Sequence, residues 1–129
     1  MAGDYDVQLK KYINVLMHEG GSDLHFSTGA HPTLRVAGDL APMLKEAVLT
    51  PEDTLGFAQV LLSKEQFDRF LTTKEMDFAY PTIDNNRFRG NAFYQRGAVG
   101  IALRFIPKQI RTVAELNLPD VLETFARKS

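Results

Sequence analysis

Apolar positions recur at the helical interval near the start of the chain, where Tyr5, Leu9, Tyr12, Ile13, Leu16 and Met17 share one face and Gly20-Gly21 supplies a stop. The spacing predicts a first helix over Asp4 to Glu19. The period then drops to two. Leu24 and Phe26 alternate with Asp23, His25 and Ser27; beyond the Thr28-Gly29-Ala30-His31-Pro32 break, Leu34 and Val36 alternate with Thr33 and Arg35. Two short half-buried strands follow. Gly38-Asp39 punctuates before a brief strand from Leu40 to Leu44. Thr50-Pro51-Glu52-Asp53 reads as a helix start. The threonine oxygen satisfies a free N–H, proline loses nothing at the first helical position, and acids suit the positive end of the helix dipole. Leu55, Ala58, Leu61 and Leu62 form its buried stripe. Ser63-Lys64-Glu65-Gln66 repeats this logic as a capping box, leading a short helix expected to turn Phe67, Phe70 and Leu71 inward. A strand around Met76 to Tyr80 follows, then Pro81 and a polar Asp84-Asn85-Asn86 turn.

From Arg87 to Ile106 the alternation describes a hairpin. With Arg96-Gly97 as a two-residue turn, Phe88 falls opposite Phe105, Gly90 opposite Leu103 and Ala92 opposite Ile101, an apolar side that faces the core. The same register sets Arg89 directly opposite Arg104 on the other side, flanked by Arg87 and Asn91. Like charges facing each other across strands are destabilising, and an anion would relieve them. At the C-terminal end, Thr112-Val113-Ala114-Glu115 caps a helical turn, and Pro119-Asp120 opens a last helix carrying Val121, Leu122 and Phe125. Helix, three strands, two helices, three strands, helix, joined mostly by connections too short for parallel crossovers, predicts an α+β fold: a mostly antiparallel sheet with helices packed on one face.

Composition narrows the picture. A chain of 129 residues, 44% hydrophobic, is long enough for one domain spanning residues 1–129 with its own core. It has no cysteine, which excludes disulfides and thiolate metal sites and fits a reducing compartment. With no apolar run of about 18 residues and no basic-then-apolar N-terminus, neither a spanning helix nor a secretory signal is expected. The formal net charge of -1 argues against a surface built as a whole for nucleic acid. Positive charge is local instead. Arg87, Arg89, Arg96, Arg104, Lys108 and Arg111 follow one another with no acid between, while Glu65, Asp68, Glu75, Asp77 and Asp84 crowd the stretch before them. A basic patch on a near-neutral protein points to a discrete anion.

The chain contains no Walker-type glycine loop, nucleophile elbow or paired-histidine zinc signature, and His18, His25 and His31 lack ligand spacing, so no metal is expected. Asp23, Asp39 and Asp77 read as turn or strand-edge carboxylates bonding nearby backbone N–H groups. Asp77 is alternatively the counter-charge to a hairpin arginine, if its strand adjoins. A solvated sheet face accounts for Arg87 and Arg96. It accounts less well for Arg89 opposite Arg104, whose guanidinium forks suit a phosphate's oxygens provided no carboxylate neutralises them.

Ser22-Asp23-Leu24-His25-Phe26-Ser27, Gly29, Pro32, Leu34-Arg35-Val36-Ala37-Gly38-Asp39-Leu40, Met76-Asp77-Phe78, Arg87-Phe88-Arg89-Gly90-Asn91-Ala92-Phe93, Leu103-Arg104-Phe105-Ile106-Pro107 and the tail containing Leu116 carry a family likeness. In order and spacing the chain, from its first helix to Phe125, resembles the N-terminal domain of the type IV pilus retraction ATPases of the secretion ATPase superfamily. The resemblance implies a PAS-like domain of a homohexameric ATPase that powers pilus retraction and twitching motility. Its other half would be a RecA-like motor domain bearing the Walker motifs and the Mg²⁺ ligands. It further implies that Arg89 and Arg104 act catalytically on ATP held by that motor domain, with Arg87 and Arg96 as further cofactor-binding candidates. Two departures from the family are a shorter loop at Gln95-Arg96-Gly97 and a glycine, Gly90, where a bulkier residue is usual.

Implied partners are the motor domain of the same chain and of the adjacent subunit and an inner-membrane pilus platform protein, with no nucleic acid; the implied location is cytoplasmic, at the inner face of the bacterial inner membrane. The chain ends at Lys128-Ser129, about where the family's linker into the motor begins, so it reads as an excised domain with no ATPase activity of its own. Two readings of other classes stand beside this one. A stand-alone PAS-like ligand-sensing or protein-interaction module needs polar groups converging in a pocket between sheet and helices, where the inward residues are nearly all aliphatic or phenyl. A nucleic-acid binder would stack bases on Phe93 and Tyr94 beside the basic hairpin.

Overall fold

The computed structural model describes residues 2–82 and 85–107, with side chains from residue 5 onward. In chain order these are α1 (Ala2–Glu19), β1 (Asp23–Phe26), β2 (Thr33–Val36), β3 (Asp39–Pro42), α2 (Pro51–Leu61), α3 (Lys64–Thr73), β4 (Glu75–Pro81), β5 (Arg87–Gln95) and β6 (Ala98–Ile106). The six strands form one sheet in the order β3-β2-β1-β6-β5-β4, and every neighbouring pair is antiparallel. The fold is therefore α+β as expected, with the helices on one face. Asp84 and the two helical segments expected after Thr112 and Pro119 lie outside the described residues.

Local chemistry sets most of the element ends. At the close of α1 the chain turns left-handed at Gly20 (φ +69), and the Gly21 amide bonds the Leu16 carbonyl at 2.9 Å, as glycine permits just past a helix. Thr50 Oγ1 accepts the Asp53 amide at 3.1 Å while the Asp53 carboxylate takes the Thr50 amide at 2.8 Å, a reciprocal cap that fixes the start of α2. Ser63 and Gln66 do the same for α3 at 3.1 and 3.0 Å. The third strand begins and ends earlier than the alternation suggests, because Ala37-Gly38 (φ 53 and 85) forms a tight turn that sets Asp39 directly opposite Val36.

One core fills the space between the helices and the sheet. Leu24, Phe26, Leu34, Phe78, Phe88, Ala92, Ile101 and Leu103 point from the strands toward Leu9, Tyr12, Ile13 and Leu16 of α1 and Phe57, Ala58 and Leu61 of α2. Phe57 is missing from the stripe expected for α2, yet it is wholly buried and stacks on Phe26 at 4.5 Å between ring centroids. A second departure is Leu71, expected inward but 41% exposed. Of α3 only Phe70 is buried, stacked on Tyr94 at 5.1 Å, since this helix meets the sheet at its β4 side and offers the core only a narrow stripe. Among the described residues, no helix covers the opposite face of the sheet.

Candidate anion-binding face of the sheet

Arg96 and Gly97 adopt φ of 56 and 79, both left-handed, so the two-residue turn matches the twist of its strands and fixes the register of β5 on β6. Phe88 pairs with Phe105, Gly90 with Leu103 and Ala92 with Ile101 on the core side, and Arg89 pairs with Arg104 on the other side, as expected. Because β1 adjoins β6, a single lateral row crosses the sheet there: Leu40, Arg35, Asp23, Arg104, Arg89, Ala79. The next row holds Thr33, His25, Ala102, Asn91 and Asp77. Ala79 and Ala102 are small beside long neighbours, and the rows enclose an open concavity of about 630 Å³ lined by Asp23, His25, Asp77, Arg89, Asn91 and Arg104.

The charges there are not arranged as the hairpin alone suggests. Arg104 has a carboxylate partner: its Nε lies 3.3 Å from Asp23 Oδ2. The two facing arginines are therefore not both bare, because strand order brings β1 alongside β6 and sets Asp23 opposite Arg104. Asp23 is buried and accepts the Ser22 hydroxyl on Oδ1, rather than the backbone N–H expected for it. Burial alone would raise its pKa, but the hydrogen bonds from Ser22 and Arg104 outweigh that and hold the carboxyl below its ordinary range. Arg104 remains 74% exposed, with its terminal nitrogens unengaged among the described residues. Arg89 makes no ion pair or hydrogen bond with any described residue. Asp77 does adjoin the hairpin, but its Oδ1 takes the Asn91 amide at 2.7 Å and it pairs with no arginine among the described residues.

His25 is a member of this face that the histidine spacing does not single out. Its Nε2 is buried with no hydrogen-bond partner among the described residues. Burial chiefly lowers its pKa; the Asp23 carboxylate opposes this, and Arg35 and Arg104 add to it. The only local signal is its position two residues from Asp23 in an alternating strand. Arg87 lies on the same face, two residues from Arg89 and opposite Ile106. Arg96 sits at the hairpin tip, roughly 24 Å from Arg89 along an extended strand. It lines a different depression together with Ser27 and Thr28. The structure thus gathers Arg89, Arg104 and Arg87, and sets Arg96 apart.

A six-stranded antiparallel sheet, helical on one side and arginine-bearing on the other, is here the fold of a homologue of motor ATPases. More narrowly, the chain is homologous to the N-terminal region of the type IV pilus ATPases. It is 35% identical over 120 residues to the type IV pilus ATPase PilU of Pseudomonas aeruginosa, covering 93% of this chain and 31% of that protein. With the type IV pilus retraction ATPase PilT of the same organism it shares 31% identity over 105 residues, covering 81% of this chain and 30% of the relative. A crystal structure of the pilus retraction motor PilT with bound ADP superposes with a TM-score of 0.71 at 35% identity, covering 78% of this chain and 29% of that one. The chain thus spans about a third of the length of the relatives it matches. No protein-family model matches it.

Proposed function

We propose that this chain is the N-terminal domain of a hexameric ATPase that powers type IV pilus retraction, and that Arg89 and Arg104 grip the phosphates of ATP seated on a RecA-like motor domain of the same chain or the adjacent subunit. The observation that carries the reading is the pairing of Arg89 with Arg104 on the sheet face that no described helix covers, where Arg89 has no counter-charge among the described residues. Side chains directly opposite in an antiparallel pair stand about 5 Å apart, close enough for both guanidinium groups to reach one phosphoryl group. Asp23 offsets one of the two charges, leaving the pair net positive. The domain's residues match no phosphate loop, so the motor domain would supply the loop and the Mg²⁺ ligands, and this chain would supply cations from outside.

Mechanical work follows from the charge. ATP draws the two arginines toward its terminal phosphate and closes one domain on the other; loss of that phosphate removes the charge they bind, and the pair reopens. Repeated around a ring on the cytoplasmic side of the inner membrane, against a pilus platform protein, the cycle would withdraw pilin subunits. A stand-alone sensor is less well supported, because the described residues between sheet and helices bury Thr54 but no converging set of polar groups. In the full-length protein, Arg89→Ala and Arg104→Ala are each expected to lower ATP turnover by about 10³-fold, the lower end of arginine-finger effects. Unchanged turnover in both variants would refute the proposal.

A further inference from the structure

Asp23 and His25 of β1 line the concavity beside Arg104, and the function as described so far asks of Asp23 only that it offset one charge. Asp23 touches that arginine at Nε alone, 3.3 Å from Oδ2. The manner of contact matters. A guanidinium carries one N–H on Nε and four on its two terminal nitrogens, and a carboxylate set against the terminal fork would consume the donors that match a phosphate. Engagement at Nε instead restrains the group and leaves its terminal nitrogens without a carboxylate among the described residues.

The anchor is itself rigid. The Ser22 amide donates to the Arg35 carbonyl at 2.8 Å, the Ser22 carbonyl accepts the Phe105 amide at 2.9 Å, and the Ser22 hydroxyl holds the Asp23 carboxylate from its other oxygen. Asp23 therefore hangs from a backbone bonded on both sides, in the middle of the sheet. Arg89 has no such tether among the described residues and must order its side chain when it binds.

We infer that Asp23 is the positioning residue for Arg104, holding its guanidinium by Nε so that the terminal fork is presented to an incoming phosphoryl group before the ligand arrives. This makes the two arginines unequal partners, one aimed in advance and one recruited. The inference rests on the reading of Arg89 and Arg104 as phosphate ligands.

Two measurements test it. On the chain itself, the Arg104 Nε–H proton should exchange with water more slowly in NMR spectra than that of Arg89, and Asp23→Leu should abolish the difference. Equal exchange of the two in the unaltered chain overturns the inference. In the full-length protein, Asp23→Leu, which removes the acceptor, should lower kcat for ATP roughly tenfold to 10²-fold, as a misplaced catalytic group does, without raising KM. Asp23→Asn keeps an oxygen for Nε–H and should stay within a few-fold of the unaltered protein. In an Arg104→Ala background Asp23→Leu should cost nothing more.

Equal losses in the Leu and Asn variants, or a further loss in the Arg104→Ala background, overturn the positioning role while leaving the arginines as ligands. So does full activity of Asp23→Leu where Arg104→Ala is impaired. Full activity of Arg104→Ala itself would remove the reading underneath, and the inference with it.

Discussion

Gly90→Ala adds a single methyl to a residue whose missing side chain is already occupied. Gly90 of β5 pairs with Phe78 of β4, and a Cβ at Gly90 would stand under 3.0 Å from three atoms of the Phe78 ring. That ring is nearly buried and belongs to the core, so it cannot swing into solvent. Two effects oppose each other. Replacing glycine in a strand interior by itself stabilises by about 0.5–1 kcal/mol through the unfolded chain's entropy. Forcing a methyl into filled space costs about 1–3 kcal/mol. With three ring atoms in the way the second wins, for a net loss of up to roughly 2.5 kcal/mol, or up to about 10 °C in Tm at the slope expected for a domain of this size.

Thermal melting followed by circular dichroism, with urea unfolding for the free energy, reads the change. The cause is checked by pairing it with Phe78→Leu, a smaller side chain that makes room. Gly90→Ala should then cost less in the Phe78→Leu background than alone, a coupling of at least about 0.5 kcal/mol. A Tm at or above that of the unaltered domain, or strictly additive variants, would show that the ring does not occupy the glycine's space.

Phe57→Ala should destabilise the domain by about 3–5 kcal/mol in urea unfolding, because it empties the stack on Phe26 at the centre of the core; a loss below about 1 kcal/mol would contradict the packing described. His25 gives a pH signature. Since burial depresses its pKa in the folded state, the unfolded chain binds the extra proton first, and stability should fall as pH drops below about 6.5 and level off beneath the folded-state value. His25→Gln should flatten that part of the curve, and an unchanged slope in the variant would assign the dependence to other groups.

Much of the site was legible residue by residue. Alternation from Arg87 to Ile106 and the left-handed freedom of Gly97 in the Arg96-Gly97 turn determine which residues of the hairpin face each other, so the pairing of Arg89 with Arg104 follows from a window of twenty residues. Thr50 and Ser63 mark their helix starts for the same reason: the bonds that satisfy a free helix end lie three residues away. Periodicity was a poorer guide where a neighbour decides burial. Phe57 is buried because α1 and α2 pack closely at Gly56, where the Tyr5 ring would lie under 3.0 Å from a Cβ, and Leu71 is exposed because α3 reaches the sheet only at its edge.

By itself, then, the sequence determined the helices with their caps, the register of the long hairpin, and the gathering of two arginines on one of its sides. Tertiary structure alone decided that β1 lies against β6, and with it that Asp23 stands beside Arg104 and His25 enters the same concavity. The physical reason is range. Hydrogen bonds within a helix cap or a tight turn close over a few residues and leave their signature in residue type, whereas the order of strands in a sheet is chosen by how the whole apolar surface is best buried, a contest between segments about eighty residues apart in the case of Asp23 and Arg104.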